Sequence, residues 1–293
     1  MNTATRLATY AAALAVVAGI GATIGSAVGP LRTTPAAAES HSAGAHSHGS
    51  SSAVTQLPGG LASHSSGYTF EPVAAAPGTF AFRILGPNGA PHTAFDIEHD
   101  KLMHLIVVRR DTTGFQHVHP QMAPDGTWTV PLTLPAGGSY RAFADFVPAG
   151  RLGLTLGVDL AVPGDFQPVT HQPSRVSEVD GYQVSLDGTL TPGRVSPLTV
   201  TVRKDGRAVT DLQPYLAAYG HLVALREGDL AYLHVHPDGA PGDGHTLPGP
   251  SIRFDTEVPT TGSYRLFLDF SHGGAVHTAT FTVSTTETEG GTR

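Results

Sequence analysis

Cysteine is absent from this chain of 293 residues, and charged residues make up only 14% of it. Without cysteine there is no disulfide framework, no thiolate metal site and no cysteine nucleophile. The 17 Lys and Arg residues against 24 Asp and Glu form no polybasic stretch, so we expect no nucleic-acid partner. Only three methionines are present, which argues against a soft Cu⁺ site.

Glycine and proline are abundant instead, at 35 and 23 residues, and the apolar runs between them are short and rich in Val, Leu, Phe and Thr. This composition predicts an all-β chain with many turns. Histidine is also enriched, at 16 residues, and its placement carries most of the functional signal.

The N-terminal segment 1–38 predicts export. Its uncharged run Leu7–Leu31 is long enough for a helix that spans a bilayer of about 30 Å. Because the run is longer than an ordinary signal core, we expect an uncleaved anchor in the cell membrane, single-pass, with the bulk of the chain extracytoplasmic. The alternative is a signal peptide cleaved near Ala38, which would leave a secreted protein.

Residues 39–66 are mainly Ser, Gly, Ala and His. We predict a flexible, disordered tether, because so few apolar side chains cannot offset the entropy of ordering the chain. Short histidine tracts can bind metal loosely or belong incidentally to a solvated linker, and both interpretations stay open here. Residues 286–293 are polar and predict a disordered tail.

The rest of the chain contains the same motif twice. The stretches His104–Pro120 (HLIVVRRDTTGFQHVHP) and His221–Pro237 (HLVALREGDLAYLHVHP) keep three histidines and a proline at the same spacing, while most other positions differ. The run GSYRAFADF at Gly138–Phe146 matches GSYRLFLDF at Gly262–Phe270 in the same way. Repetition at a fixed spacing indicates a duplicated structural unit.

Each unit holds about seven short strands separated by turns, which is typical of an immunoglobulin-like sandwich. Gly-x-Tyr before the sixth strand also resembles the tyrosine corner of such folds. We therefore predict two tandem immunoglobulin-like β-sandwiches, 67–164 and 179–285, joined by a linker at 165–178. They follow the N-terminal apolar helix and the His- and Ser-rich tether.

Each histidine motif is predicted to form a β-hairpin. A turn at Glu227-Gly228 places His221 opposite His234, whereas a turn at Gly228-Asp229 places it opposite His236. Either register puts three imidazoles on one face of the sheet, since side chains alternate along a strand. The same alternation sends the Asp of the Tyr-Arg-x-Phe-x-Asp-Phe strand to that outer face.

Three imidazoles with an optional carboxylate suit Zn²⁺ or Cu²⁺. We predict one such metal site on the outer face of each sandwich. The candidate ligands are His104, His117, His119 and Asp145 in the first repeat, and His221, His234, His236 and Asp269 in the second. The alternatives are structural histidines that hydrogen-bond within the sheet, or another kind of ligand-binding role.

The run MHLIVVRRDTTGFQHVHP, followed by DGTWTVPLTLPAGGSYRAFADF, resembles a group of uncharacterised exported bacterial proteins. Their repeats share the His-strand, His-x-His-Pro and Gly-x-Tyr-Arg-x-Phe-x-Asp-Phe pattern, and they are sometimes associated with heavy-metal (copper) handling. The resemblance covers both repeats. It implies the six motif histidines as the positions to test, and a role in metal handling or resistance.

Catalysis is not expected. The sequence contains no Gly-x-Ser-x-Gly, no His-Glu-x-x-His and no phosphate-binding glycine loop. A metal held by three histidines can activate water in principle, but the motif offers no general base. We therefore expect a metal-binding protein that is not an enzyme. The alternative is a scaffold or interaction module without metal, in which the histidines are structural.

Overall fold

The computed structural model describes residues 57–235 and 237–286, and within that range it leaves out the side chain of His234. The predicted membrane helix at Leu7–Leu31, most of the predicted tether and the end of the tail lie outside the described residues. The described residues form strands and turns with no helix, which confirms the all-β prediction. Among these residues, no helix is long and apolar enough to cross a membrane.

The first repeat is a sandwich of two antiparallel sheets. Its strands are β1 (His64–Ser65), β2 (Tyr68–Val73), β3 (Thr79–Leu85), β4 (Phe95–Asp96), β5 (His104–Arg109), β6 (Gln116–Val118), β7 (Gln121–Met122), β8 (Thr127–Pro131), β9 (Gly138–Pro148) and β10 (Leu154–Val162). One sheet has the order β1-β2-β3-β8-β7, and the other has the order β10-β9-β5-β6, with β4 also paired to β9. Aromatic side chains that include Phe70, Phe82, Trp128 and Phe146 fill the space between the sheets.

The second repeat has the same arrangement. Its strands are β11 (Val176–Val179), β12 (Tyr182–Gly188), β13 (Val195–Lys204), β14 (Arg207–Ala208), β15 (His221–Arg226), β16 (Tyr232–Val235), β17 (Ser251–Glu257), β18 (Ser263–His272) and β19 (Ala275–Ser284). One sheet runs β11-β12-β13-β14 with β17 on β13, and the other runs β16-β15-β18-β19. Strand β11 begins inside the range predicted as linker, because Val176–Val179 pairs along β12.

Local sequence explains these elements. Strand β17 alternates strictly between exposed and buried side chains, as a strand with one covered face should. The Asp205-Gly206 pair turns the chain between β13 and β14 with φ values of 49° and 75°, a conformation that Asp-Gly favours in two-residue hairpins. The hydroxyl of Tyr140 donates to the carbonyl of Ala136 at 3.0 Å, and that of Tyr264 donates to Thr260 at 2.9 Å. These tyrosine corners and the strand order confirm the immunoglobulin-like sandwich.

The outer faces of the histidine-bearing sheets pack against each other. Alternation along β18 correctly places Tyr264, Leu266, Leu268 and Phe270 in the core of the second sandwich. Phe267 points the other way, as expected, but it is buried in a third apolar cluster built from both repeats. That cluster contains Ile106, Val108, Phe143, Val223, Leu225, Leu230, Tyr232 and Phe267, with Phe115 against it. Alternation identifies the residues that share a face, but it does not show what covers that face.

The packing between the repeats is reciprocal. The ring of Phe115 stacks on Phe267 with centres 4.0 Å apart, and the ring of Tyr232 stacks on Phe143 at 5.2 Å. Phe115 and Tyr232 occupy the same position in the duplicated motif, and so do Phe143 and Phe267. Each repeat thus presents the same patch to the other, which is the arrangement of an isologous dimer joined into one chain.

The end of the predicted tether packs into the fold, where residues 59–62 run between the two repeats. The backbone N–H of Tyr232 donates to Gly59 O, and that of Gly60 donates to Thr155 O, both at 2.9 Å. The Arg141 guanidinium donates to Gly60 O at 2.7 Å. A Cβ at Gly157 would lie 2.1 Å from Gly60 O, so glycine at this position lets the two backbones approach.

Candidate metal centre between the repeats

Three of the predicted ligands meet at one end of the face between the repeats. Strand β5 supplies His104, and the strand that pairs with it supplies His117, which lies opposite Ile106. The two-residue spacing then returns His119 to the same face. Each of the three imidazoles offers a nitrogen, and these nitrogens all lie within 4.8 Å of one another.

The spacing of the three rings fits one shared ion. Ring centres are 5.3 Å apart for His104 and His117, 5.0 Å for His104 and His119, and 4.9 Å for His117 and His119. An ion about 2.0–2.1 Å from an imidazole nitrogen lies about 3.2 Å from that ring centre, and tetrahedral placement then separates ring centres by about 5.2 Å. The observed separations agree with that value to within a few tenths of an ångström.

Hydrogen bonds fix the tautomers of two of these imidazoles. Nε2 of His104 lies 3.0 Å from the carbonyl oxygen of Glu98, and Nδ1 of His117 lies 2.9 Å from Oδ2 of Asp269. A carbonyl or carboxylate oxygen only accepts, so each of these nitrogens carries the proton. The other nitrogens, Nδ1 of His104 and Nε2 of His117, then turn lone pairs toward each other across 3.1 Å. Two lone pairs at this distance repel unless a proton or a cation lies between them.

His119 completes the set as a neutral imidazole. Its Nε2 is buried and has no hydrogen-bond partner in the part of the chain that the structure describes. Burial, followed by the positive charge that His117, His104, Lys101 and His221 can carry, lowers the pKa of His119 to about 3. The imidazole therefore stays unprotonated at neutral pH, which is the form that binds a metal.

The two predicted aspartates lie where strand pairing puts them, opposite His104 and His221. Asp145 accepts from Thr155 Oγ1 at 2.9 Å and from the Tyr232 hydroxyl of the second repeat at 3.1 Å. Asp269 accepts from Thr278 Oγ1 at 2.6 Å and from His117 of the first repeat at 2.9 Å. Each carboxylate thus accepts a hydrogen bond from the other repeat, and Asp269 orients His117 across the interface.

The second repeat contributes His221 to the same place. Its Nε2 donates to the carbonyls of Tyr215 and Leu216 at 2.8 and 3.0 Å, as Nε2 of His104 does to Glu98. The rings of His221 and His117 have centres 6.3 Å apart. In the second hairpin Leu222 pairs with Val235, the register expected for a turn at Gly228-Asp229. The side chain of His234 and residue 236 lie outside the described residues.

Two corrections to the sequence-based expectation follow. The predicted sites were separate, one on the outer face of each sandwich, whereas the structure brings His221 and Asp269 of the second repeat beside His104, His117 and His119 of the first. A further histidine, missed by sequence, also lies there. The His99 ring is 6.1 Å from that of His104 and 5.1 Å from that of His221. It precedes the duplicated motif and has Leu216 as its counterpart, so comparison of the repeats gives no signal for it.

A family model described as a domain of unknown function (DUF8832) matches residues 64–162 and 177–287, once in each repeat. The two matches confirm the duplication. No curated protein matches the chain.

Three similar solved structures are remote in sequence and in fold score. A segment of two fibronectin type III domains from chicken tenascin is 13% identical over 74% of this chain and 97% of its own, with a TM-score of 0.22. The FN1–FN3 domains of chicken CNTN1 are 10% identical over 79% of this chain and 66% of their own, with a TM-score of 0.21. A putative membrane anchored protein from Corynebacterium diphtheriae is 10% identical over 74% of this chain and 56% of its own, with a TM-score of 0.19. Because these TM-scores are low, the sandwich assignment rests on the strand order and the tyrosine corners.

Proposed function

We propose that this chain, which belongs to the DUF8832 family, binds a Zn²⁺ or Cu²⁺ ion between its two repeats through His104, His117 and His119. The observation that carries the proposal is the 3.1 Å approach of two imidazole nitrogens whose other nitrogens already donate hydrogen bonds. A cation between them replaces the repulsion of the two lone pairs with two coordinate bonds.

The surroundings of the triad support binding. Metal-ligating histidines usually donate their second N–H to a carbonyl or carboxylate, which fixes the ring and strengthens the ligand. Glu98 O does this for His104, and Asp269 does it for His117. Imidazole ligands without any thiolate suit Zn²⁺ and Cu²⁺, and the two ions share this chemistry.

We propose binding rather than catalysis, in the handling of or resistance to a metal outside the cytoplasm. The two carboxylates on the paired strands, Asp145 and Asp269, accept hydrogen bonds from Thr155 and Tyr232 and from Thr278 and His117, so we assign them to orienting side chains and not to a general base. The uncharged run Leu7–Leu31 supports a membrane anchor. Recovery of a secreted chain that begins at Glu39 would replace the anchor by a cleaved signal peptide.

The test is a titration of the purified full chain with Zn²⁺ and with Cu²⁺, measured by calorimetry and by thermal melting. We expect one tight site whose occupation raises the melting temperature, since a ligand of the folded state adds about 2.7 kcal/mol at a hundredfold excess over Kd. His119→Ala should remove that site without removing a hydrogen bond. His64→Ala, which removes an exposed histidine outside the cluster, is the matched control.

A structural role is the second candidate, and one contact favours it. The His117–Asp269 pair joins the repeats, and a histidine of that kind can stabilise an interface without any metal. In that case neither ion raises the melting temperature, and His119→Ala leaves the titration unchanged.

A further inference from the structure

The turn that precedes β5 holds His99 in an unusual backbone conformation. Glu98 and Lys101 exchange both backbone hydrogen bonds, at 2.9 and 3.0 Å, across a two-residue turn. The two residues inside it, His99 and Asp100, have φ values of 47° and 61°. Residues other than Gly adopt this left-handed region at a cost of about 1–3 kcal/mol, and such residues concentrate at functional sites. His adopts it more readily than most, as Asn and Asp do.

The second repeat contains the same turn with a different residue in it. Tyr215 and Ala218 exchange backbone hydrogen bonds at 2.8 and 3.2 Å, and Leu216 and Ala217 have φ values of 51° and 58°. The first carbonyl of each turn accepts the Nε2 proton of the leading histidine. Each turn therefore fixes the leading histidine of its repeat, His104 or His221. The turn of the second repeat does so with Leu216 at the position of His99, so fixing the leading histidine does not require an imidazole there.

We propose that His99 is a fourth ligand of the ion held by His104, His117 and His119, an inference that rests on the proposed function. Its ring centre lies 6.1 Å from that of His104, about 1 Å more than shared tetrahedral coordination requires. The His99 side chain is half-buried, so its ring can close that distance by rotation about its own side-chain bonds while the turn stays in place. The His221 ring lies 6.3 Å from that of His117, and at 1% exposure on a central strand it has less room to close that distance.

A fourth imidazole changes what the centre can do. A metal with three protein ligands keeps an open position for water or substrate, whereas four ligands close the site. With His99 bound, the ion is enclosed by side chains of the first repeat and by the Asp269 carboxylate behind His117. Such a centre holds an ion and releases it when the His99 ring rotates away, and it does not present the ion to a substrate.

The turn of the second repeat suggests two variants that test whether His99 is a ligand. His99→Leu and Asp100→Ala each give the first turn the residue that the second turn has at that position, so both fit the backbone. We expect His99→Leu to weaken the binding of Zn²⁺ at least about tenfold in competition with a chelator. The Cu²⁺ form should show one coordinating imidazole fewer by electron paramagnetic resonance. Asp100→Ala, the matched control, should keep the affinity within about threefold and the full imidazole count.

The outcomes separate the two proposals. If the wild-type chain binds an ion and His99→Leu keeps the same imidazole count, His99 is not a ligand and the proposed function stands. An equal loss of affinity in Asp100→Ala would assign the effect to the turn and overturn the inference. If the wild-type chain binds neither ion, the proposed function fails and this inference fails with it. His99→Asn, which tolerates the left-handed region, repeats the test should the leucine variant not fold.

Discussion

Replacing Asp269 by Asn tests the contact that joins the two repeats at the candidate metal centre. The Asp269 carboxylate is 4% exposed and accepts from Thr278 Oγ1 and from His117 Nδ1. Asparagine has one acceptor oxygen and an amide that donates, so one of the two donors loses its acceptor. A buried donor left unsatisfied costs about 1–3 kcal/mol, which lowers the free energy of unfolding by that amount. In a chain of this size the melting temperature should fall by about 2–12 °C.

The same substitution should weaken metal binding. A carboxylate behind a metal-ligating histidine typically contributes a factor of about 10–100 in affinity, equivalent to about 1.4–2.8 kcal/mol. Thermal melting of the metal-free protein and competition with a chelator measure the two effects separately. Thr278→Val is the control, because it removes the other donor to the same carboxylate and leaves His117 in contact.

The control variant should lose stability and keep its affinity within about threefold. If Asp269→Asn binds Zn²⁺ as tightly as the wild-type chain, the carboxylate does not support the ligand, and the reasoning is refuted. If Thr278→Val loses as much affinity as Asp269→Asn, the contact with His117 is not the cause.

Phe267→Ala removes one ring of the stack between the repeats and should cost about 3–5 kcal/mol, measured by urea unfolding; a loss below about 1 kcal/mol would mean that the interface adapts. Acid should destabilise the metal-free chain through His119, whose pKa in the folded state is about 3. Below about pH 6.5 this imidazole binds a proton in the unfolded chain but not in the folded chain, so a falling pH favours unfolding. That residue contributes up to about 1.4 kcal/mol per pH unit between these pKa values, and His119→Ala should flatten the profile of unfolding free energy against pH. Gly157→Ala places a Cβ against Gly60 O and should expose residues 57–63 to protease; unchanged cleavage would contradict the close approach.

The fold could be predicted from sequence because its signals are local. Alternating strands, Asp-Gly turns and Gly-x-Tyr corners are each recognised from a few consecutive residues. The duplication lets each assignment in one repeat be checked against the other repeat. The register of the second hairpin was limited to two choices for the same reason. The histidine triad was predictable because both repeats keep it.

The covering of the outer face was not predicted, although the sequence contains a signal for it. Strand β5 is buried at all six positions, and its Leu105–Val108 run is continuously apolar. A strand that is apolar at consecutive positions is covered on both faces, whereas alternation marks a strand with one open face. Read in that way, the run predicts a partner for the histidine-bearing sheet, but it does not identify that partner as the other repeat.

The positions of residues 59–62 and of His99 depend on tertiary contacts that cannot be predicted from composition. Residues 59–62 have the glycine content of a linker, yet Gly60 lies against Phe143 because the interface needs a backbone without side chains at that place. His99 has no counterpart in the second repeat, so a search for shared residues passes over it. Its closeness to His104 and His221 follows from the turn geometry alone.

The reciprocal packing of the repeats has a consequence for how the junction between them stays assembled. Two separate subunits that shared such a junction would dissociate once their concentration fell below their dissociation constant, and the bound ion would lose the carboxylate behind His117. A linker makes the association intramolecular, with an effective concentration of about millimolar for a short flexible connection. The junction therefore stays assembled at any abundance of the protein. The halves are also free to diverge, as Leu216 in place of His99 illustrates.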